Sequence, residues 1–281
     1  CVIDHYALGE GWENFVRKRL PNATFLVLDD LANRSHDSDW LIDASRPNSD
    51  AATEYRELLS DHTKLLTGAY YALLSPDYSL LAPITPARRR LRRILIFFGG
   101  IDDKNFTALA LSALSHPDLQ SIDVDVVLGL SSPHLETISQ AACSMPNVRI
   151  HVGLPSLSAL MIKADLSIGA AGITSWERAC LGLPAVVIPV AKNQECGAYE
   201  LHRIGAAISL EAKDATEIVC KIRSTLLALL ASQTSLKEMS TSAIRLGDGR
   251  GVQRAVTCLL GPDFPLRLRS TVLSDMWLYY W

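Results

Sequence analysis

Along the chain, short apolar runs alternate with stretches of helical spacing, most regularly from position 91 onward. Largely apolar runs at 94–98, 124–128, 148–152, 166–168, 185–189 and 207–210 are three to five residues long, rich in Val and Ile, and bounded by turn residues. Continuous runs of this kind predict strands buried on both faces. Between them, spacing and capping residues predict helices at 105–114, 133–142, 156–163, 174–181 and 194–204, with two more running to about 260. Strand–helix alternation at this spacing requires right-handed parallel crossovers, hence a doubly wound α/β sheet.

Residues 1–80 are mixed. Positions 1–4 read as the end of a buried strand, 24–28 and 40–42 as further short strands, and 12–20 and 51–59 as helices. A strand at the very start predicts that a preceding segment belongs to the fold, so the chain is expected to be an internal fragment. Pro76, Pro83 and Pro86 then crowd one stretch, followed by Arg88, Arg89, Arg90, Arg92 and Arg93. Proline interrupts regular structure and charge favours water, so this stretch predicts a solvated interdomain linker, with a phosphate grip as the alternative. The expected organisation is a partial first domain over 1–87, a second domain over 88–262, and a separate segment over 263–281.

Composition narrows the partners. With 48% hydrophobic and 20% charged residues the chain builds real cores. A net charge of -3 and a pI near 6.2 argue against a general nucleic-acid binder. No apolar run approaches the roughly 20 residues that span a bilayer. The six cysteines form no C-x-x-C or His/Cys cluster, so neither zinc nor a disulfide framework is expected. Cys143, Cys180, Cys220 and Cys258 sit in apolar helical surroundings and are expected to be reduced core thiols, which points to the cytoplasm.

In a doubly wound sheet, ligands bind at the carboxyl ends of the strands. Three loops there have unusual composition. In the first, Gly99 and Gly100 follow a buried strand and permit positive φ and close approach to a ligand, with Asp102 or Asp103 placed to cap the next helix. The second, Gly169-Ala170-Ala171-Gly172-Ile173-Thr174, is built of small residues and opens a helix whose N–H groups suit phosphate. Glu177 follows Thr174 at capping-box spacing, so it either bonds back to the Thr174 N–H or reaches the two hydroxyls of a ribose. The third loop carries Asn193 and Gln194, whose amides offer donors and acceptors to sugar or phosphate. Gly182-Leu183-Pro184 ends the intervening helix and brings the second and third loops to one edge.

G-x-T-x-x-E followed by G-L-P, an apolar strand and N-Q resembles the C-terminal half of the GT-B glycosyltransferase superfamily, which includes the MurG-type N-acetylglucosaminyltransferases. A wider set resembles a hydrolytic branch, the UDP-2,4-diacetamido-2,4,6-trideoxy-β-L-altropyranose hydrolases of pseudaminic acid synthesis. It comprises Ile3-Asp4-His5-Tyr6, Leu28-Asp29-Asp30, the stretch 68–74 (G-A-Y-Y-A-L-L), Phe98-Gly99-Gly100-Ile101-Asp102, Trp176-Glu177, Asn193-Gln194 and 247–252 (G-D-G-R-G-V).

The resemblance implies a GT-B-like α/β fold with two Rossmann-type domains, the N-terminal one incomplete. It implies a hydrolase that needs neither metal nor cofactor and releases UDP from a deoxy-diacetamido sugar. UDP-sugar contacts fall on Gly99, Gly100, Gly172, Ile173, Thr174, Glu177, Asn193 and Gln194, with Tyr6 and Asn193 facing the sugar and the reacting water. The family's general base is a histidine in a G-x-G-H-x-x-R motif that this sequence lacks; it is expected upstream of residue 1, and His5 is read as a site-edge or structural residue. Leu268-Arg269, Asp275 and Trp281 resemble the opening of a GNAT-type N-acetyltransferase, with Thr271 where that pattern has alanine; an amphipathic tail is the alternative. The alternatives to hydrolysis are transfer of an N-acetylhexosamine from UDP to a sugar or lipid, and binding of UDP without turnover.

Overall fold

The structure is a computed structural model that describes residues 1–46, 48–211 and 213–261. The acetyltransferase-like stretch at 263–281 lies outside the described residues. Two parallel sheets account for all the strands among them.

The first sheet is formed by β1 (Val2–Ile3), β2 (Leu26–Leu28), β3 (Trp40–Asp43) and β4 (Lys64–Thr67), hydrogen-bonded in that order and all parallel, with α1 (Glu10–Arg17) and α2 (Asn48–Glu54) in the crossovers. β4 has no counterpart among the predicted strands, because Lys64-Leu65-Leu66-Thr67 offers only two apolar residues. Alternation divides the sheet: Ile3, Val27 and Leu41 face Ala51 and Tyr55, while Leu26 and Ile42 face the opposite way.

After α3 (Pro76–Leu81), the second sheet comprises six strands: β5 (Arg93–Phe97), β6 (Asp123–Leu128), β7 (Val148–Val152), β8 (Leu166–Ala170), β9 (Ala185–Ile188) and β10 (Ala207–Ser209). The intervening helices are α4 (Phe106–Leu114), α5 (Leu135–Ala142), α6 (Ser158–Lys163), α7 (Thr174–Cys180) and α8 (Glu195–Arg203). The strand order β10-β9-β8-β5-β6-β7, parallel throughout, is the doubly wound arrangement that the alternation predicts. Ile94 and Ile96 pack on one side with α4, and Leu95 between them packs on the other with Trp176 and Leu201. Both faces are covered, which is why the strand reads as one apolar run.

Among the described residues three helices, not two, follow β10: α9 (Ala215–Ala231), α10 (Gln233–Ile244) and α11 (Gly251–Leu260). The chain breaks at Ser232, which is extended, and at Gly249, whose φ of +71° is left-handed. α11 leaves the second sheet and lays Ala255 and Leu259 on the face of the first sheet formed by Leu26 and Ile42. Gly251 makes this approach possible, since a Cβ there would sit 2.1 Å from the carbonyl oxygen of Ala72. The G-D-G-R-G-V segment is therefore a packing device.

The stretch expected to be a solvated linker is partly buried. Pro76 occupies the first turn of α3, where its missing N–H costs nothing, and Tyr78 is buried. Arg88 is buried as well: its guanidinium donates to the carbonyls of Pro86, Met161, Ala164 and Leu181. Converging carbonyls at the ends of α6 and α7 supply acceptors that no reading of charge along the chain reveals. Only Arg89, Arg90 and Arg92 of that run are exposed. The core-thiol expectation also needs correction, because Cys143 and Cys220 lie on outer helix faces and are exposed, whereas Cys180 is buried. No helix among the described residues is long and apolar enough to cross a membrane.

Candidate functional site

The strand order reverses between β5 and β8, so the loops that follow them lead away in opposite directions and open a crevice at the carboxyl edge. Gly99 lies on one side of that crevice and the stretch 169–174 on the other. The two sides differ in their helix starts. At α4, Asp102 accepts from the N–H groups of Phe106 and Thr107, and Asn105 accepts from Ala108, so the first turn is occupied. Of the two aspartates it is Asp102 that caps α4, together with the N-cap residue Asn105. At α7 no side chain caps the first turn. The capping-box alternative for Glu177 is not realised.

The glycines of these loops serve different ends. Gly99 has φ +100° and open space where a Cβ would stand, so its backbone alone demands glycine. Gly100 presents its carbonyl oxygen 1.9 Å from where a Cβ on Gly129 would lie, which packs the β5 and β6 loops together. Gly169 pairs with Phe97 across β5 and β8, and a Cβ there would meet the Phe97 carbonyl at 2.1 Å. Gly172 is different: a Cβ would find only Gln194 Nε2, at an ordinary 3.7 Å. Nothing in the protein's own packing excludes a side chain at this position.

Gln194 ties the second and third loops together. Its Oε1 accepts from Ala171 N at 3.2 Å and Val190 N at 3.1 Å, which leaves Nε2 directed toward Gly172. Lys192 beside it is exposed. Asn193 turns the other way and donates through Nδ2 to Asp30 Oδ2 of the first sheet's β2 loop at 3.0 Å. The Tyr6 hydroxyl makes hydrogen-bonding contact with both Asp30 and Asn193, although much of its ring is exposed. Partial burial and the adjacent Asp30 carboxylate push this phenol up to about 12, so at neutral pH it is a proton donor. The structure therefore brings Tyr6 and Asn193 together, and adds Asp30. His5 is turned into its own loop, where Nδ1 accepts from Ala7 N at 3.0 Å.

Beneath the 169–174 loop lies Arg178, fully buried. It donates to the carbonyls of Ala170 and Thr174 and to the hydroxyls of Ser167 and Ser175. Burial lowers its guanidinium to about 10, against the pull of the Glu177 charge. The Glu177 carboxyl is raised by burial and opposed by a hydrogen bond from Tyr78 and by the Arg178 charge. Ile173 and Thr174 border the same loop, Ile173 with its side chain exposed. Asp30, Tyr78 and Arg178 thus stand beside the sequence-derived set without belonging to it. Asp30 stood in a quoted motif, whereas nothing in the sequence marked Tyr78. Among the described residues no group of three or more His, Cys, Asp or Glu side chains is placed to hold a metal ion.

Residues 93–254 match the family model of the glycosyltransferase family 28 C-terminal domain. The chain is 28% identical over 156 residues to the spore coat polysaccharide biosynthesis protein SpsG of Bacillus subtilis (strain 168), a match covering 55% of this chain and 46% of that protein. It is 29% identical over 161 residues to the UDP-N-acetylglucosamine--N-acetylmuramyl-(pentapeptide) pyrophosphoryl-undecaprenol N-acetylglucosamine transferase of Lactiplantibacillus plantarum (strain ATCC BAA-793 / NCIMB 8826 / WCFS1), covering 54% of this chain and 43% of that one. The chain thus spans less than half the length of these curated relatives. Among solved structures, MurG of Acinetobacter baumannii superposes with a TM-score of 0.56 at 21% identity, over 87% of this chain and 68% of the other. That likeness is one of fold, and the fold is GT-B-like.

Proposed function

Because the chain belongs to the glycosyltransferase family 28 C-terminal domain family, we propose that it holds the UDP part of a UDP-activated N-acetylhexosamine in the crevice between Gly99 and Gly172 and serves transfer of the sugar to an acceptor. The observation that carries this reading is Gly172, a glycine at the topological switch point that the protein's own packing does not require. Room kept free of a side chain there suits close approach of a diphosphate to the backbone. Gln194 Nε2 stands beside it as a donor, and Glu177 is the acceptor for the ribose hydroxyls.

In the reaction the bond between the anomeric carbon and the UDP oxygen breaks, UDP leaves with the electron pair, and an acceptor oxygen bonds to that carbon. Tyr6, Asp30 and Asn193 are the groups proposed to face the sugar and acceptor. Tyr6, protonated, donates a hydrogen bond, and the Asp30 carboxylate takes the proton that the acceptor hydroxyl loses as its oxygen bonds to the anomeric carbon.

A second reading keeps the same site and makes water the acceptor, giving a hydrolase that frees a deoxy-diacetamido sugar, as in nonulosonic acid synthesis. It is supported by the convergence at one place of three motifs that carry the hydrolase resemblance, through Tyr6, Asp30 and Asn193. Incubation with UDP-sugars, with and without sugar or lipid acceptors, separates the two. Product that requires an acceptor supports transfer, and free sugar formed without one supports hydrolysis. UDP bound with no turnover under either condition leaves only a binding role, and absence of UDP binding by calorimetry overturns all three.

A further inference from the structure

We propose that Arg46 is a positioning residue for Asp30: its guanidinium fixes the backbone of the loop after β2 and so holds the Asp30 carboxylate where the sugar of a UDP-sugar is recognised. The inference deepens the reading of Asp30 as a group that faces the sugar, and rests on it. It adds a residue from the loop after β3, 16 positions further along the chain.

The two oxygens of Asp30 are in different situations. Oδ2 accepts from Asn193 Nδ2 at 3.0 Å. Oδ1 is buried and takes no hydrogen bond among the described residues. A buried acceptor in that state is costly, and a sugar hydroxyl donates what it needs. Such recognition requires the carboxylate to stay in place. Asp30 lies beyond the end of β2 at Leu28, so strand pairing does not hold it there.

Arg46 supplies the hold. It is buried, and its Nη1 donates to the Asp30 carbonyl at 2.8 Å while Nη2 donates to the Leu31 carbonyl at 3.3 Å. The guanidinium is itself aimed from two elements. Asp43, the last residue of β3, pairs with Nη1, and Glu54, the last residue of α2, accepts from Nε at 2.7 Å. The neighbouring Asp29 is committed elsewhere, accepting from the Tyr55 hydroxyl at 2.7 Å and the Ala32 N–H at 2.9 Å. Asn193 restrains only the Asp30 side chain, and does so from the other sheet. A planar fork meets two successive carbonyls and two carboxylates at once, which a lysine ammonium, donating from a single point, does not.

The test measures affinities for UDP-N-acetylglucosamine and for UDP by calorimetry, since their ratio isolates the sugar. Asp30→Ala should lower that ratio by about tenfold, the worth of one hydrogen bond to a charged group. Arg46→Lys, which keeps the charge and loses the fork, should lower it by about fivefold, leave UDP affinity unchanged, and add nothing in the Asp30→Ala background. A wild-type ratio in Arg46→Lys, or an additive loss in the double variant, overturns the role of Arg46 and leaves Asp30 standing. UDP and UDP-sugar affinities that fall together in Arg46→Lys overturn it too, because a general loosening of the fold would do that. A wild-type ratio in Asp30→Ala, or a wild type that binds the UDP-sugar no tighter than UDP, overturns the sugar-facing reading itself. Should Arg46→Lys fail to fold, Glu54→Gln, at a side chain 47% exposed, replaces the carboxylate that aims Nε by a neutral amide. It should lower the ratio by about threefold, and an unchanged ratio there overturns the proposal equally.

Discussion

Asn193 Nδ2 donates to Asp30 Oδ2 at 3.0 Å, across 163 positions of sequence, and so joins the loop after β9 of the second sheet to the loop after β2 of the first. The neighbouring Gln194 meanwhile fastens the loops at Ala171 and Val190. Two adjacent amides thus divide the work, one fastening the loops beside Gly172 and the other bridging to the first sheet.

From that division, Asn193→Ala should impair turnover and spare nucleotide binding. A hydrogen bond to a charged group contributes about 1.5–3 kcal/mol, so kcat should fall roughly 10- to 100-fold. The UDP dissociation constant, measured by calorimetry, should change less than about threefold, because Gln194 still holds the loops. Equal loss of both would mean that Asn193 belongs to the nucleotide side.

Two glycines only three positions apart in sequence offer a second comparison. Gly172→Ala should leave stability within about 0.5 kcal/mol of the wild type, since the added methyl meets no clash. It should nonetheless weaken UDP binding by at least about tenfold, as the methyl occupies the approach to the backbone. Gly169→Ala should do the reverse damage: its Cβ would overlap the Phe97 carbonyl oxygen, prising β5 from β8 at a cost of about 1–3 kcal/mol or more. Urea midpoints and calorimetry on both variants check the contrast.

Arg88 leads to a prediction about stability alone. Arg88→Met keeps much of the volume but strips hydrogen bonds from the buried carbonyls of Met161, Ala164 and Leu181. Stranded buried acceptors cost about 1–3 kcal/mol each, so the loss should reach at least about 3 kcal/mol in chemical unfolding. A solvated linker arginine would give a change near zero.

The pH dependence of stability should carry a signature from Asp248. A hydrogen bond from Arg254 holds its carboxyl down to about 2, and the same guanidinium donates to the Tyr70 carbonyl, pinning α11 to the first sheet. A depressed folded-state value means the stabilisation is fully present above the unfolded-state range near 4 and is lost as pH falls through about 2. Asp248→Asn should therefore lower the unfolding midpoint at pH 6, and its deficit against the wild type should shrink toward zero between pH 4 and 2. The pair is partly exposed, so the deficit should be modest and should decrease in high salt.

Much of the second sheet was legible because buried parallel strands leave a local trace: Ile94, Leu95 and Ile96 must all be apolar when both faces are covered. The three loops were legible for a similar reason, since small residues and amides at strand ends are local features. β4 was not, because Leu65 and Leu66 draw their strand character from pairing with β3 and not from their own pattern. The fate of Arg88 was hidden too, as its acceptors lie 73 to 93 positions away.

The sequence by itself therefore determined the alternation of strands and helices, the doubly wound second sheet and the carboxyl-edge loops that carry Gly99, Gly172, Glu177, Asn193 and Gln194. Periodicity and turn chemistry are properties of neighbouring residues and need no partner. Only the tertiary structure decided that Glu177 does not cap its helix, that Asn193 reaches Asp30, and that Gly169 and Gly172 stand in opposite surroundings. Each of these depends on which distant backbone or side chain stands within a few ångströms, and that is settled by strand pairing within the second sheet and by contact between the loops of the two sheets.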